Sequence, residues 1–282
     1  MPALEVTHAS PVRQPDTARA DVRVIRDQRG RSVVARGYAE SPLRLLMPDN
    51  AGHAAWLYTS SLGGGLVDGD HLTLDIRVCA GATAFVSTQA STKVYRSVQG
   101  TGADVHAHVE PGASLVVAPD PVVCFAASRY RQAQRYELDA GASLVLVDWL
   151  SSGRHATGER WAFTEYHSRL HVDQGGRSVV HDAVALSADD GDLAHRLGRF
   201  DVLGLALLLG PAAAAAAASL IGELATRPVV RRPHHLVTAT PAGDGCLLRF
   251  ASTSVDLAAR LLRQHVGFVP DLLGDDPWAR KW

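Results

Sequence analysis

Apolar and polar residues alternate one by one through residues 72–78, where Leu72, Leu74, Ile76 and Val78 are set against Thr73, Asp75 and Arg77. The same alternation runs through 105–109 and 134–138. A period of two places every second side chain on one face, so these runs predict strands with one face in a core and one in water. Each leads into a similar phrase: Ala80-Gly81-Ala82-Thr83-Ala84-Phe85, Pro111-Gly112-Ala113-Ser114-Leu115-Val116 and Ala140-Gly141-Ala142-Ser143-Leu144-Val145. The glycine marks a turn into a more apolar strand. The three glycines lie 31 and then 29 residues apart, and a weaker fourth copy runs from 169–172 through Gly175-Gly176 to Val179-Val180. Repeats of this length predict a mainly β fold, with stacked strands sharing one core in a β-helix-like (solenoid) architecture. An ordinary antiparallel sandwich would give the same local pattern.

Helical periodicity is confined to the C-terminal third and predicts two α-helices. Over 254–266, Val255, Leu257, Ala258, Leu261, Leu262 and Val266 form one face while Arg260 and Arg263 point away, with Ser254 as N-cap and Gly267 beyond the end. The other helix, 211–226, opens on Pro211, is rich in alanine and stops at Arg227-Pro228. It follows a buried strand over 200–209. Residues 203–222 carry no charge and meet the length of a membrane span, but the central Pro211 and the weakly apolar alanines favour the strand and helix. Residues 1–20 are expected to be disordered, and no linker divides 21–282, which is expected to be a single domain.

The chain has 282 residues, enough for a full core, and its 28 basic and 29 acidic side chains nearly cancel. No field draws it to nucleic acid or an anionic membrane. Cys79, Cys124 and Cys246 are odd in number and far apart, against a disulfide framework or structural zinc. No apolar signal segment opens the chain, so a cytoplasmic protein is expected.

The densest chemistry is the stretch from Gly63, Gly64 and Gly65 through Asp68 and Gly69 to Asp70, followed by Thr92, Lys93, Tyr95 and Arg96. Its glycines fail the dinucleotide and calcium-loop patterns, and no phosphate loop, nucleophile elbow or zinc-protease motif occurs. His106, His108 and Glu110 share one strand face, which is better explained as the wet side of that strand than as a metal site. Asp148 lies inside the apolar run Leu144-Val145-Leu146-Val147-Asp148-Trp149-Leu150, and Asp182 follows Val179-Val180-His181. A buried carboxylate needs a partner. Read from the residues alone, that partner is more readily Arg154, Arg160 or Arg169 than a passing cation.

In order and spacing, the glycine stretch, the Thr92–Arg96 motif, Gly141-Ala142-Ser143-Leu144, Asp148, Gly153-Arg154, Gly158-Glu159 and the ending Pro277-Trp278 resemble the UreD (UreH) family of urease accessory proteins. The likeness covers most of the chain from Val22 onward. It implies a non-enzymatic, β-helix-like scaffold that joins UreF and the GTPase UreG, docks on urease apoprotein and supports nickel insertion. Asp70, Asp148 and Asp182 would line a transient nickel path, with nickel in transit and no tightly bound cofactor. A dimer of the accessory complex is compatible with this picture. Asp68 stands where many relatives have glycine, and Val116-Val117 replace an acidic–aromatic pair found in several. The alternative from another class is a carboxylate-based or metal-assisted hydrolase centred on Asp68 and Asp70.

Overall fold

The structure, a computed structural model, describes residues 17–154 and 157–280. Among the described residues, two sheets carry the fold. The first holds β1 (Thr17–Arg26), β2 (Ser32–Ala39), β5 (His71–Val78), β8 (Thr101–Val109), β11 (Arg129–Leu138), β13 (Glu165–Gln174) and β14 (Arg177–Ser187), in the spatial order β14-β13-β11-β8-β5-β1-β2. The second holds β3 (Leu43–Leu46), β4 (Ala55–Ser61), β6 (Thr83–Thr88), β9 (Ser114–Val117), β12 (Ser143–Ser151), β15 (Val202–Leu209), β16 (His235–Ala242) and β17 (Gly245–Ser252), in the order β16-β17-β15-β12-β9-β6-β4-β3. Short β7 (Thr92–Val94) and β10 (Val122–Cys124) pair with each other, and β10 also joins β12.

The sequence repeat is a stacking repeat. Each of its three clear copies contributes one strand to each sheet: β5 then β6, β8 then β9, β11 then β12. All these neighbours are parallel, and equivalent residues are in register: Val78 beside Val109 beside Leu138, and Thr83 beside Ser114 beside Ser143. At each corner the glycine takes a left-handed conformation, Gly81 at φ 67°, Gly112 at 68° and Gly141 at 76°, which costs other residues more. The following amide closes the turn, as in Ala113 N–H donating to Glu110 O at 3.0 Å.

Stacking holds only for the middle of the molecule. Each sheet ends in antiparallel pairs, β1 with β2 and β13 with β14 in the first, and β3 with β4 and β15, β17 and β16 in the second. The fourth repeat copy is not a fourth crossing, because β14 folds back beside β13 in the same sheet. Its two adjacent glycines explain this. Gly175 and Gly176 both adopt positive φ, the geometry of a tight hairpin turn, whereas each crossing corner has one such glycine.

Two further expectations are corrected. Residues 17–20 belong to β1 and form pairs with β5, so ordered structure begins before residue 21, and residues 1–16 lie outside the described residues. Among the described residues four α-helices are present rather than two: α1 (Leu193–Leu197), α2 (Ala214–Ala225), α3 (Val255–His265) and α4 (Val269–Leu273). The predicted pair corresponds to α2 and α3. The additional two are five residues each, too short to carry a helical period. Among the described residues, no helix is long and apolar enough to cross a membrane.

The two largest apolar clusters lie on the two faces of the second sheet. Between the sheets lie Ile76, Val78, Leu115, Leu144, Leu146, Leu170 and Leu207. On the other face of the second sheet, Trp56, Phe85, Val145, Val147, Trp149 and Phe250 pack with Leu220, Leu261, Leu262 and Leu273 from the helices. Strand β12 is therefore buried along its whole length, which is why Leu144–Leu150 is apolar on both faces, interrupted only by Asp148, where β11 alternates.

Gly204 of β15 sits between Trp149 and Phe250 on the neighbouring strands. A Cβ there would lie 2.5 Å from Phe250 Cζ, 2.7 Å from Trp149 Cβ and 2.8 Å from the Asp148 carbonyl. A ring tip can swing aside, but the backbone carbonyl cannot. The substitution Gly204→Ala is expected to destabilise the fold by about 1–3 kcal/mol through overpacking. Chemical denaturation checks this: an unchanged midpoint would show that β15 has slack at this crossing.

Candidate functional site

Strands β11 and β13 place alternate side chains between the sheets, and several of these are polar. Tyr130, Gln132, Gln134 and Tyr136 of β11, with Tyr166 and Ser168 of β13, are buried opposite Asp148 of β12. Gln132 Nε2 donates to Asp148 Oδ2 at 2.8 Å, Gln134 Nε2 at 3.0 Å and Ser168 Oγ at 3.3 Å. Behind them, Tyr136 Oη donates to Gln134 Oε1 at 2.9 Å and Tyr130 Oη to Gln132 Oε1 at 3.3 Å. All three donors converge on Oδ2, leaving Oδ1 outside this network.

Among the described residues Asp148 has no cationic partner; neutral amides and a hydroxyl hold it. Burial raises the Asp148 carboxyl above its usual range, the Gln132, Ser168 and Gln134 hydrogen bonds work in the opposite direction, and the Asp182 charge adds to the rise. Burial also pushes the phenols of Tyr130, Tyr136 and Tyr166 upward, so they remain neutral.

Asp148 lies where two cavities meet. An inner cavity of 160 Å³ between the sheets is lined by Thr88, Thr92, Asp104, Asp120, Gln132, Gln134 and Asp148. A second, of 350 Å³, is lined by Asp148, Tyr166, Ser168, Asp182, Leu236 and Arg249. Asp148 is the one lining residue that they share. Toward the other end, the inner cavity shares Leu43, Thr59, Leu66, Leu72, Thr88 and Thr92 with a third, of 360 Å³, that reaches Gly64, Gly65 and Lys93. The three cavities lie in a row from the glycine stretch to Asp182, with Asp148 in the wall common to the inner and second ones.

The predicted residues thus divide. Asp182 comes beside Asp148 on a shared cavity, and its ion-pair partner is Arg249 rather than Arg154, Arg160 or Arg169. Arg154 binds Glu159, and Arg160 binds Asp201. Thr92, Lys93, Gly64 and Gly65 line the outer cavity at the opposite end. Gly65 is there for close approach: a Cβ would lie 2.6 Å from Lys93 O and 2.7 Å from the Tyr95 ring. That proximity lets Leu66 N–H donate to Lys93 O at 2.8 Å and accept at its carbonyl from Tyr95 N–H at 2.9 Å. Gly63 and Gly69 take positive φ in the same loop. Tyr95 packs edge-on against Phe125 at 5.2 Å, and Arg96 is exposed.

Asp70 is buried but lines none of these cavities. Its Oδ2 accepts from Val67 N at 2.9 Å, closing the loop on itself. Asp68 accepts from Gln99 N at 2.8 Å and Gly100 N at 2.9 Å. Burial works to raise the Asp68 carboxyl, but backbone N–H groups of Val98, Gly100 and Gln99 outweigh it and hold it below the usual range. Both aspartates act as loop clamps. His106, His108 and Glu110 do not converge, pairing separately with Asp75, Asp139 and Arg77. Among the described residues no group of three or more His, Cys, Asp or Glu side chains is arranged to hold a metal ion.

Sequence reading missed Gln132, Gln134 and Ser168. The signal was present in the alternation of β11, whose inward face reads Tyr130, Gln132, Gln134, Tyr136, Leu138. Two glutamines on a core face require a buried partner.

Comparison with known proteins now bears on this arrangement. A family model described as UreD urease accessory protein matches residues 16–282. The chain is 52% identical over 255 residues to the urease accessory protein UreD of Sorangium cellulosum, covering 90% of this chain and 81% of that protein. It is 46% identical to the UreD of an Anaeromyxobacter species over 89% of this chain and 85% of that protein. Urease accessory protein D of Arabidopsis thaliana is 30% identical over 89% of this chain and 96% of that protein. The match spans both sheets and the helical layer, and the chain belongs to the UreD family of urease accessory proteins.

Proposed function

We propose that this chain is a non-catalytic scaffold for urease maturation that bridges urease apoprotein to UreF and UreG and passes nickel ions along the row of cavities through Asp148. The observation that carries the reading is the position of Asp148, shared by the inner cavity and the Asp182 cavity. Carboxylate oxygens and neutral amides suit a divalent ion that must bind weakly and move on. Oδ2 is fixed by three donors while Oδ1 is left for the cargo. A passing dication offsets the burial penalty that raises this carboxyl. Thr92 and the Lys93 stretch stand at one end, Asp182 and Arg249 at the other. Asp70 enters this reading as a structural residue that holds the glycine loop at the first end. The cytoplasm is the compartment in which we place the chain.

The hydrolase reading has less support. Asp68 and Asp70 spend carboxylate oxygens on backbone N–H groups of their own and adjoining loops, so no acid–base pair is presented to a substrate.

Reconstitution of urease maturation with and without the chain tests the proposal. Omission is expected to lower urease nickel content and activity together, and full loading without it would overturn the reading. Substitution Asp148→Asn separates path from packing. Because its folded pKa is raised, the carboxyl favours the native state below the unfolded pKa of about 3.9 and loses that contribution as pH rises through the folded value. At neutral pH the native state therefore carries a penalty that the uncharged amide of the variant lacks. The variant is expected to melt at or above the wild-type temperature at pH 8, by about 2 °C for each ~1 kcal/mol relieved, with the gain vanishing toward pH 3. Urease activation by the same folded variant is expected to fall about tenfold or more. Normal activation would remove Asp148 from the path.

A further inference from the structure

Between Glu223 and Asp244 the chain carries three arginines and two histidines but no carboxylate, although its overall charge is nearly balanced. This segment begins as a loop over 227–234 and continues into β16. The loop is held at its ends. Arg227 N–H donates to Leu224 O, Arg199 Nη2 donates to Pro233 O at 2.8 Å, and Thr253 N–H donates to His234 O at 2.9 Å. Pro228 and Pro233 stiffen it. Its middle stands out into solvent, with Val229 101% and Val230 63% exposed. Arg227, Arg231 and Arg232 are exposed too, and none forms an ion pair among the described residues.

Strand β16 is the last of its sheet and pairs only with β17 among the described residues. Open edges are normally blunted by charge, proline or a bulge. Here residues 236–240 carry no charge, proline comes only at 241, and Leu236 is 48% exposed. Free backbone donors and acceptors, an apolar side chain and an adjacent unpaired basic loop are the elements of strand addition.

We propose that residues 227–240 dock an extended segment of a partner protein in which acidic and aliphatic residues alternate, added as a strand along β16. The partner's carboxylates meet Arg227, Arg231 and Arg232, and its aliphatic side chains cover Val229, Val230 and Leu236. A protein is favoured over an anionic lipid surface because the strand edge supplies directional hydrogen bonds that a bilayer does not use. The inference is independent of the ion path, and its test reads binding rather than urease activation.

The probe is a fluorescent ten-residue peptide of alternating Glu and Val, titrated by anisotropy against the full chain. Controls are its Lys–Val counterpart, a version N-methylated at alternate amides, and phosphatidylserine–phosphatidylcholine vesicles. Expected are binding of the Glu–Val peptide alone among these, slowed amide exchange in 235–240, and about tenfold weaker binding to the Arg227→Glu, Arg231→Glu double variant. Both substitutions are at exposed loop positions, and an unchanged melting temperature verifies folding. Absence of Glu–Val binding, equal affinity for the N-methylated peptide, or unaltered binding by the double variant would each overturn the proposal. Vesicle binding without peptide binding would replace it with a membrane contact.

Discussion

A single carboxylate buried in the seam between two sheets sets the terms for the middle of this molecule. Leaving Asp148 unpaired in an apolar layer would cost several kcal/mol. The fold does not answer with an opposite charge. It places two glutamines from β11 and a serine from β13 on one oxygen, backed by tyrosine hydroxyls. An arginine would hold the carboxylate more firmly and occupy it permanently. Neutral donors hold its position and leave its charge unspent. The cost appears as a raised proton affinity and as cavities where a stable protein would be packed solid. That combination is expected of a group kept for a passing ligand rather than for the fold.

The scaffold around this seam is stiff because the repeat is expressed as register. Equivalent residues of successive copies lie side by side in both sheets, so each corner glycine fixes one rung and each rung fixes the next. Polar positions are drawn into the same register. Gln134 lies beside Val105 of β8 and Leu170 of β13, which places the glutamine pair at the boundary between an aliphatic layer and an aromatic one. Strand β12, buried on both faces, contributes to both the inter-sheet core and the helical layer, as do its neighbours β9 and β15. A charged residue can be presented inside the molecule there without leaving a strand end unsupported.

Much of this was legible in sequence. Alternation located the strands, glycine spacing located the corners, and the apolar run around Asp148 identified the buried carboxylate. What failed did so for identifiable reasons. The doubled glycine at Gly175-Gly176 turns a would-be crossing into a hairpin, a distinction that the apolar pattern around it does not make. The partner of Asp182 lies 67 residues away on β17, on a strand whose pairing depends on the second sheet being assembled. Helices α1 and α4 are too short to show a period. Asp70 and Asp148 looked alike as aspartates in a motif-bearing chain, yet one closes a tight loop through its own backbone and the other is held by side-chain donors. Local sequence does not separate these roles, because the difference lies in which atoms reach the carboxylate.

The surfaces divide the remaining work. The outer face of the first sheet is a lattice of paired charges, Arg19 and His106 with Asp75, Arg77 with Glu110, and Arg135 with Asp173. Such a face is solvated and internally satisfied, and offers a partner little net charge. The outer face of the second sheet is covered by helices. At the edges, by contrast, apolar side chains such as Val184 and Leu236 remain exposed. At the β14 and β16 edge, Val184 and Leu236 line the same cavity as Asp182. If the proposed docking and the proposed ion path both hold, a partner segment at this edge lies beside one end of the cavity row, and a single edge supplies both the grip on the partner and the place where cargo changes hands. Coupling the two by position requires no moving part in the scaffold, which fits a core whose rungs are locked in register.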